Sequence, residues 1–336
     1  MWQWKMQNVR LKYLDIARGI GIFLVVLGHS IVTPLRSEQR VFQIFYDGIY
    51  FFHMAFFFYL SGYLVSLTNQ IYKGKKQKAA FIYKKAKQLL IPYFFYSLLG
   101  YGVLGFLSDR DPVQCIFEIM TTENHMLHHL WFLYTMFAVS VIALFIPEGY
   151  SFHAMYVSAA LHCVFSAIAG LPLICLYIVR YLFFFQAGRI WQSKKNLSFC
   201  TNLICFVVLE FLYIFVFAHP ADFTGGFRIA ERFLCSIIIC AGGITGSQLI
   251  FKISIREEKS ALGKKLEKLG KNSMEIYLLH MPLLVPGLAA VMWKLRINGI
   301  IILIVCTMAG IWISLFAAKF IHKCGKLSFL MFGRKE

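Results

Sequence analysis

Titratable side chains stand inside the apolar stretches of this 336-residue sequence. The first stretch, residues 13–30, contains Asp15, Arg18 and His29. Arg18 and His29 are eleven residues apart, so a helix brings them back to nearly the same face, about 16 Å apart along its axis. Because polar groups at membrane depth are costly, they are functional by default. We therefore interpret Arg18 and His29 as a functional pair, with Asp15 favoured as the structural partner of Arg18.

A second histidine, His53, lies in the next apolar stretch, residues 47–64. It enters about one and a half helical turns from the end of that stretch, so it can reach the depth of His29. Imidazole titrates near neutral pH, and two histidines at one depth on adjacent helices make a plausible acid/base site. Ser61 and Gly62, further along the same stretch, are better explained by tight helix packing than by a nucleophile.

The other polar residues in apolar stretches leave alternatives open; they are His162, Arg180, Glu210 and His280. Arg180 must face a partner or a cavity, and Glu210 is one candidate partner. A structural ion pair is as plausible for Arg180 as a substrate contact. His129 and Trp131 stand at the entrance of another stretch, where histidine and tryptophan commonly anchor a helix at the membrane interface.

The composition predicts an all-α integral membrane protein. Hydrophobic residues make up 59% of the chain and the mean hydropathy is +0.66, well above a soluble globular chain. Long apolar runs without strand-like alternation favour helices. We predict one membrane-embedded domain over residues 1–336, without a separate soluble domain. Its ten spans are expected at about 14–34, 48–68, 89–107, 130–146, 153–170, 172–190, 197–217, 231–251, 274–292 and 298–320.

The net charge of +18 follows the membrane topology. Lysines and arginines concentrate at the N-terminus, in the 69–88 and 252–273 loops, in the 189–195 turn and in the C-terminal tail. All of these lie on one side of a ten-span arrangement, which is the positive-inside pattern, so both termini are expected in the cytoplasm. The excess charge then serves topology and lipid headgroups rather than nucleic acid. The nine cysteines lack metal-ligand spacing, so no metal is expected.

Four blocks carry a family resemblance: LDIARGIGIFLVVLGHS, FFHMAFFFYLSGYL, HHLWFLYTMF and LGKNSMEIYLLHMP, in that order between positions 13 and 282. Together they resemble membrane-bound acyltransferase family 3, especially its fucose 4-O-acetylase-like branch. The resemblance implies a ten-span core in a bacterial cytoplasmic membrane. It also implies transfer of an acyl group, usually acetyl, from cytoplasmic acyl-CoA to a hydroxyl of an extracytoplasmic or lipid-linked glycan. Acetyl-CoA would then be a co-substrate rather than a permanently bound cofactor.

The resemblance carries over residue by residue. The Arg-x10-His motif of the family falls on Arg18 and His29, and its second-span histidine matches His53. The implied roles are a general base for His29, assistance from His53, and donor binding for Arg18. The remaining expected residues are Lys84 and Lys87 for the donor, with Asp15, His129, Trp131, Arg180, Tyr277 and His280 as acceptor-binding or supporting residues.

Two departures from the family pattern bear on this transfer. Ala55 stands where many members have proline, so a helix kink is expected to be missing. Lysines, Lys84 and Lys87, stand where many members have an arginine pair, and lysine lacks the planar fork that binds phosphate in a bidentate manner.

Two other classes of protein remain compatible with these residues. In a transporter or glycolipid flippase, the same polar side chains would line an alternating-access path, but the sequence has no detectable inverted repeat. In a membrane sensor or scaffold, His29 would be replaceable without consequence. The oligomeric state, the acceptor sugar and the choice between acetyl and succinyl are not determined by the sequence.

The charge pattern makes a prediction about topology. A cysteine replacing Lys76, in a background without the native cysteines, should resist membrane-impermeant maleimide in intact cells, because the 69–88 loop is expected inside. A cysteine at Asp111, in a loop expected outside, should be labelled. Labelling of position 76 in intact cells would contradict the predicted orientation.

Overall fold

A computed structural model gives the structure of the chain. It describes residues 11–67, 74–102, 111–123, 125–168, 171–191, 198–217, 226–281 and 283–334. Within these ranges the chain is almost entirely helical and contains no β-strand. The basic residues at positions 1–10, most of the 189–195 turn, and the outer-loop acids Asp109 and Asp222 lie outside the described residues.

Fifteen α-helices are described. The first eight are α1 (Lys12–Ser30), α2 (Thr33–Glu38), α3 (Arg40–Leu67), α4 (Lys75–Gly100), α5 (Pro112–Thr121), α6 (Trp131–Phe145), α7 (Ser151–Ala167) and α8 (Leu173–Ile190). The others are α9 (Phe199–Leu212), α10 (Gly226–Arg256), α11 (Ala261–Lys271), α12 (Ser273–Leu279), α13 (Leu284–Lys294), α14 (Gly299–Lys323) and α15 (Gly325–Phe332). A 3₁₀ turn, His128–Leu130, precedes α6.

Seven of the described helices are long and apolar enough to cross a membrane, and an eighth span forms if α12 and α13, bent by 50°, are counted together. Each predicted span coincides with helix, but two of the helices are not both long and apolar enough to meet the criterion for a membrane span. The first part of α4 is rich in lysine, and α7 has only 17 residues. The structure therefore supports a multi-pass helical membrane protein, while the count of ten and the side of the termini stay predictions.

Two helices, α1 and α3, form the centre of the bundle. One apolar cluster joins α1 and α3 to α4, α6, α12 and α14, and a second joins them to α6, α8 and α10. Both helices present buried side chains on more than one face, which is typical of a helix surrounded by other helices. As expected from Ala55 in place of proline, α3 continues without a break through that position. Residues on α1 and α3 are thus held in the interior.

Glycines allow the central helices to touch their neighbours through the backbone. A Cβ atom on Gly19 of α1 would lie 2.0 Å from the carbonyl oxygen of Leu266 in α11. On α3, a Cβ on Gly62 would lie 1.8 Å from the Phe185 carbonyl oxygen, and one on Gly188 of α8 would lie 2.0 Å from that of Tyr59. The packing interpretation of Gly62 is confirmed, since small residues at such contacts permit close approach in membranes.

The C-terminal helix α15 is attached through a buried carboxylate. Glu275, in the first turn of α12, is fully buried and accepts a hydrogen bond from the guanidinium of Arg334. The imidazole Nε2 of His322, at the end of α14, lies 3.3 Å from the same carboxylate oxygen. Gly333 meanwhile packs on the backbone of Lys87 and Gln88 in α4. The end of the described chain is therefore tied to both α12 and α4.

The backbone contact between α3 and α8 predicts a specific loss of stability. Gly188→Ala should lower the unfolding temperature in detergent by at least a few degrees, because the new methyl group collides with a carbonyl that cannot move without separating the helices. Such overpacking costs about 1–3 kcal/mol or more. Gly287→Ala is the matched control, since Gly287 lies in α13 with open space around it. Equal unfolding temperatures for the two variants would contradict this account.

Candidate functional site

One face of α1 connects the two residues of the Arg-x10-His motif. Arg18, Ile22, Val25 and His29 recur at intervals of four, three and four residues, so they share one face of the helix. Ile22 and Val25 are almost fully buried, whereas Arg18 and His29 are partly exposed. The motif therefore places a cation and an imidazole at the two ends of an apolar segment.

The imidazole of His29 belongs to a cluster of aromatic and imidazole rings. Its ring centroid lies 5.2 Å from that of His280, and His280 in turn lies 6.1 Å from His129. On the other side, the ring of Tyr50 lies 6.2 Å from His29 and 4.8 Å from His53. Tyr50 thus stands between the two histidines that the sequence singles out, and His280 is the direct histidine neighbour of His29.

Hydrogen bonds to backbone carbonyls determine the tautomers of two of these histidines. The Nδ1 of His53 lies 2.6 Å from the carbonyl oxygen of Ile49, and the Nδ1 of His280 lies 2.8 Å from that of Ile276. A carbonyl can only accept, so each Nδ1 carries the proton and donates it, leaving Nε2 as an acceptor in the neutral ring. Both rings are buried and fixed in orientation, which suits supporting roles.

His29 differs from the other histidines of the cluster. Its Nδ1 lies 3.5 Å from the hydroxyl of Tyr50 rather than on a carbonyl, and its ring is partly exposed. His53, His129 and His280 are at most 4% exposed. His29 is therefore the member of this cluster that a substrate could reach directly.

Two cavities flank the face of α1 that carries the motif. The first, which we call the His29 pocket, has a volume of about 350 Å³ and is lined by His29, Arg36, Tyr46, Tyr50, Pro286 and Trp293, among others. The second, the α1 cavity, has a volume of about 90 Å³ and is lined by Ile22, Val25, Met54, Phe57, Phe132 and Tyr277, among others. The α1 cavity lies along the apolar segment between Arg18 and His29.

Positive charge gathers at the Arg18 end of α1. The guanidinium of Arg18 donates to the carboxylate of Asp15 at 2.7 Å, as expected for their spacing. Burial, and secondly the charges of Lys84 and Arg18, lower the pKa of Lys85 to about 8. Lys84 is exposed, and the ammonium of Lys87 lies 4.2 Å from the ring centroid of Tyr83. Lys85 therefore lies within electrostatic reach of Arg18, while the donor-binding roles of Lys84 and Lys87 stay predictions.

The structure corrects two sequence-based interpretations. Arg180 donates from Nε to Nε2 of His162 at 3.2 Å, so His162 takes the place of the candidate partner Glu210, whose carboxylate lies against Gly48. Arg180 and Tyr50 line one small cavity, which brings Arg180 to the side of the cluster. His129 is not an interface anchor, because it is buried.

His129 and Tyr277 form the remaining side of the cluster. The Tyr277 hydroxyl donates to the backbone carbonyl of His129, and both imidazole nitrogens of His129 are buried without a hydrogen-bond partner among the described residues. The Nε2 of His280 is likewise unpartnered within that part of the chain. Trp131 packs on Tyr177 and Tyr181 of α8, so it supports the helix that carries Arg180. Buried polar atoms rarely lack a partner, so these unpaired nitrogens mark the cluster as a candidate site rather than as ordinary core.

Two residues of this arrangement were missed by the sequence analysis. Tyr50 precedes His53 by three residues and so shares its helical face, which is a signal that could have identified it. Lys85 lies between Lys84 and Lys87, the two lysines selected for donor binding. Only the orientation of α4 relative to α1 distinguishes Lys85 from them. A run of lysines carries no sequence signal for that orientation.

A model of one established family matches most of the chain. The family model described as an acyltransferase domain, Acyl_transf_3, matches residues 11–319. The chain therefore belongs to this acyltransferase family. The match begins just before α1, ends within α14, and includes every residue of the histidine cluster.

Two curated relatives are similar over shorter regions. The nodulation protein NolL of Mesorhizobium japonicum is 24% identical over 219 residues, covering 60% of this chain and 56% of the relative. The nodulation protein NolL of Sinorhizobium fredii is 38% identical over 87 residues, covering 25% of this chain and 23% of the relative. The chain thus spans about half of the first relative and less than a quarter of the second. No solved structure matches the chain significantly.

The lowered pKa of Lys85 predicts that anion binding at the Arg18 end of α1 depends on pH. If acetyl-CoA is the anion bound there, it should bind more weakly as the pH rises through about 8, because Lys85 is charged below its pKa of about 8 and neutral above it. In Lys85→Arg the guanidinium stays charged, so affinity should change little between about pH 7 and pH 9.5. Calorimetric titration of the purified protein with acetyl-CoA measures both profiles. Lys75→Arg, at an exposed position of α4, should retain the wild-type profile, and a wild-type affinity independent of pH would contradict the assignment.

Proposed function

We propose that this protein is a membrane O-acyltransferase, with acetyl as the favoured group. It takes the acyl group from cytoplasmic acyl-CoA and transfers it to a hydroxyl of an extracytoplasmic or lipid-linked glycan. The observation that carries this proposal is the single face of α1 on which Arg18, an apolar cavity and His29 follow one another. Membership of the acyltransferase family supports the reaction class.

The Arg18 end of α1 suits the donor. Coenzyme A carries anionic phosphates, and Arg18, Lys84 and Lys85 together offer a guanidinium and two ammonium groups at that end. Asp15 is buried and holds Arg18 by its carboxylate, which limits the rotamers of the guanidinium. The pantetheine arm is comparable in length to the distance of about 16 Å between Arg18 and His29 along the helix. Its thioester end can therefore reach the histidine cluster.

The α1 cavity suits the passage of that arm. Its walls are mainly aliphatic and aromatic, with Ile22, Val25, Met54 and Phe57 on α1 and α3. An uncharged acyl chain or methylene segment loses little by leaving water there, whereas an ionised group would lose its hydration. The cavity is small, so side chains must adjust as the arm enters.

His29 would act as the general base in the pocket that it lines. The acceptor hydroxyl attacks the thioester carbonyl carbon, a C–O bond forms, and the hydroxyl proton passes to the imidazole of His29. The tetrahedral oxyanion then collapses, the C–S bond breaks, and the imidazolium returns the proton to the departing CoA sulfur. General-base assistance of this kind contributes about 10²–10⁴-fold.

The other residues of the cluster would orient the reacting groups. His53 and Tyr50 hold one side of His29, and His280 holds the other. A protonated nitrogen of His129 could donate to the developing oxyanion, since neither of its nitrogens is committed to another described residue. Tyr277 fixes the turn that carries His129. Arg180 lines a small cavity together with Tyr50, so its positive charge would lie beside the cluster.

The arrangement in the membrane follows from the same proposal. The basic loops and both termini face the cytoplasm, where acyl-CoA is available, and the His29 end of α1 faces the exterior. Ten spans, with α4 and α7 included and α12 and α13 combined, give that orientation. The corresponding compartment is the cytoplasmic membrane of a bacterium, with membrane lipid around the bundle.

The base assignment predicts the loss of chemistry without loss of donor binding. His29→Ala should reduce transfer from radiolabelled acetyl-CoA to glycan in membrane vesicles by about 10²–10⁴-fold, because no other group takes the proton. Its affinity for acetyl-CoA should stay within a few-fold of the wild type, since the phosphates bind at the other end of α1. The two measurements separate a chemical defect from misfolding.

A control variant makes this test specific for the cluster. His153→Ala removes an exposed histidine at the start of α7, outside the site, and should retain wild-type transfer. Arg18→Ala, unlike His29→Ala, should weaken the binding of acetyl-CoA. Near-normal transfer by His29→Ala would refute the base assignment and would favour the transporter alternative.

A further inference from the structure

The His29 pocket contains a cation that the proposed reaction does not use. Arg36, on the short helix α2, lines this pocket together with His29, Tyr46, Tyr50 and Trp293. The volume of about 350 Å³ lies at the lower end of the range for small-molecule sites, which is about 300–1,000 Å³. The pocket therefore has room for one sugar ring beside the imidazole.

Aromatic contacts hold the guanidinium of Arg36 in line with the site. Its Cζ atom lies 4.0 Å from the ring centroid of Tyr46, and the ring of Tyr46 stacks on that of Tyr50 with centroids 4.0 Å apart. Tyr50 then contacts His29 through its hydroxyl. A continuous series of rings thus connects Arg36 to the base. A guanidinium stacked in this way keeps its edge free for an anion.

The hydrogen-bonding capacity of Arg36 is only partly used. One nitrogen, Nη2, donates to the hydroxyl of Thr33 at 3.0 Å. The Nε atom is buried and has no hydrogen-bond partner among the described residues. Within the same part of the chain, no carboxylate forms a salt bridge with Arg36. A buried donor without an acceptor is costly unless a ligand supplies one.

The walls of the pocket suit a pyranose ring. The faces of Tyr46, Tyr50 and Trp293 are flat and apolar, and the C–H faces of sugar rings pack on such surfaces. The Tyr50 hydroxyl lies 3.5 Å from Nδ1 of His29, which places a polar group at the edge of these apolar walls. A neutral sugar would fit these walls and could offer hydroxyl oxygens to Arg36, but it would leave the positive charge of the guanidinium without a counter-charge.

We propose that the acceptor of this protein is an anionic saccharide. Its carboxylate or phosphate is bound by Arg36, while a hydroxyl of the same sugar unit, or of the sugar unit next to it, approaches His29. The inference rests on the proposed function and specifies the substrate class of the same site. Carboxylate and phosphate share the chemistry of an oxyanion that accepts charge-assisted hydrogen bonds from a guanidinium. A uronic acid and a sugar phosphate are therefore the two sources to distinguish.

The experiment measures sugar binding in the absence of acyl-CoA. The full-length protein in nanodiscs is titrated calorimetrically with methyl glucoside, methyl glucuronide, glucose 6-phosphate and glycerol 3-phosphate. We expect at least one of the two charged sugars to bind about tenfold or more tightly than the neutral glucoside. Glycerol 3-phosphate has the charge of a lipid headgroup but no pyranose ring, so it should bind more weakly than the preferred sugar.

Variants of two arginines test which residue is responsible. Arg36→Gln should reduce the affinity for the charged sugars to that for methyl glucoside, and Arg36→Lys should restore only part of it because the ammonium lacks the planar fork. Arg40→Gln is the matched control, since it removes an equal charge from an exposed position at the start of α3 that does not line the pocket. It should retain the wild-type preference.

Several results would overturn the proposal. They are equal binding of charged and neutral sugars, no detectable binding of either charged sugar, persistence of the preference in Arg36→Gln, and glycerol 3-phosphate binding as tightly as the sugars. Because no acyl transfer is measured, these outcomes are independent of the His29→Ala assay. If the wild-type protein transfers acetyl groups but binds charged and neutral sugars equally, only the proposed acceptor class is contradicted. If it prefers charged sugars but transfers no acetyl group, only the proposed acyl-transfer reaction is contradicted.

Discussion

The rest of the site depends on one constraint, which is that polar groups inside an apolar bundle must find their partners within the protein. The carboxylate of Asp15 accepts a hydrogen bond from Arg18, and the imidazole of His162 accepts one from Arg180. The carbonyls of Ile49 and Ile276 accept hydrogen bonds from the imidazoles of His53 and His280. These fixed contacts determine which ring nitrogens remain as acceptors. Among the imidazoles of the cluster, His29 is the one that is partly exposed and that is not fixed by a bond to a backbone carbonyl.

The interior position of α1 follows from backbone contacts rather than from side-chain size. Gly19 meets α11 so closely that no Cβ could be accommodated, and Gly62 and Gly188 hold α3 against α8 in the same manner. With α1 and α3 fixed by such contacts, the imidazole of His29 and the hydroxyl of Tyr50 come within 3.5 Å. The site is thus positioned by rigid helix pairs, which is favourable for a reaction that needs accurate placement.

The sequence predicted the elements and the principal residues but not their pairing. Hydropathy located helix in each predicted span, and the eleven-residue spacing identified the face of α1 because helical periodicity is local. The neighbours of His29 depend on how distant helices rotate against each other. Hence His280 and Tyr50 were not recognised as its direct neighbours, Lys85 was overlooked beside Lys84 and Lys87, and Glu210 was proposed where His162 lies. His129 was open to an interface role because burial after folding has no local signal.

The seven residues of α12 have a consequence for handling the protein. Glu275 at one end anchors Arg334 and His322, and His280 follows five residues later, about 7.5 Å along the axis. The short helix α12 therefore connects the segment around Arg334 to the imidazole cluster as a stiff rod. The same segment also packs on α4 at Lys87, through Gly333. An affinity tag or fluorescent fusion placed close to Arg334 would act on this rod, so its effects would extend to the site itself. Insertion in an exposed turn far from α12 is the safer choice for purification and labelling.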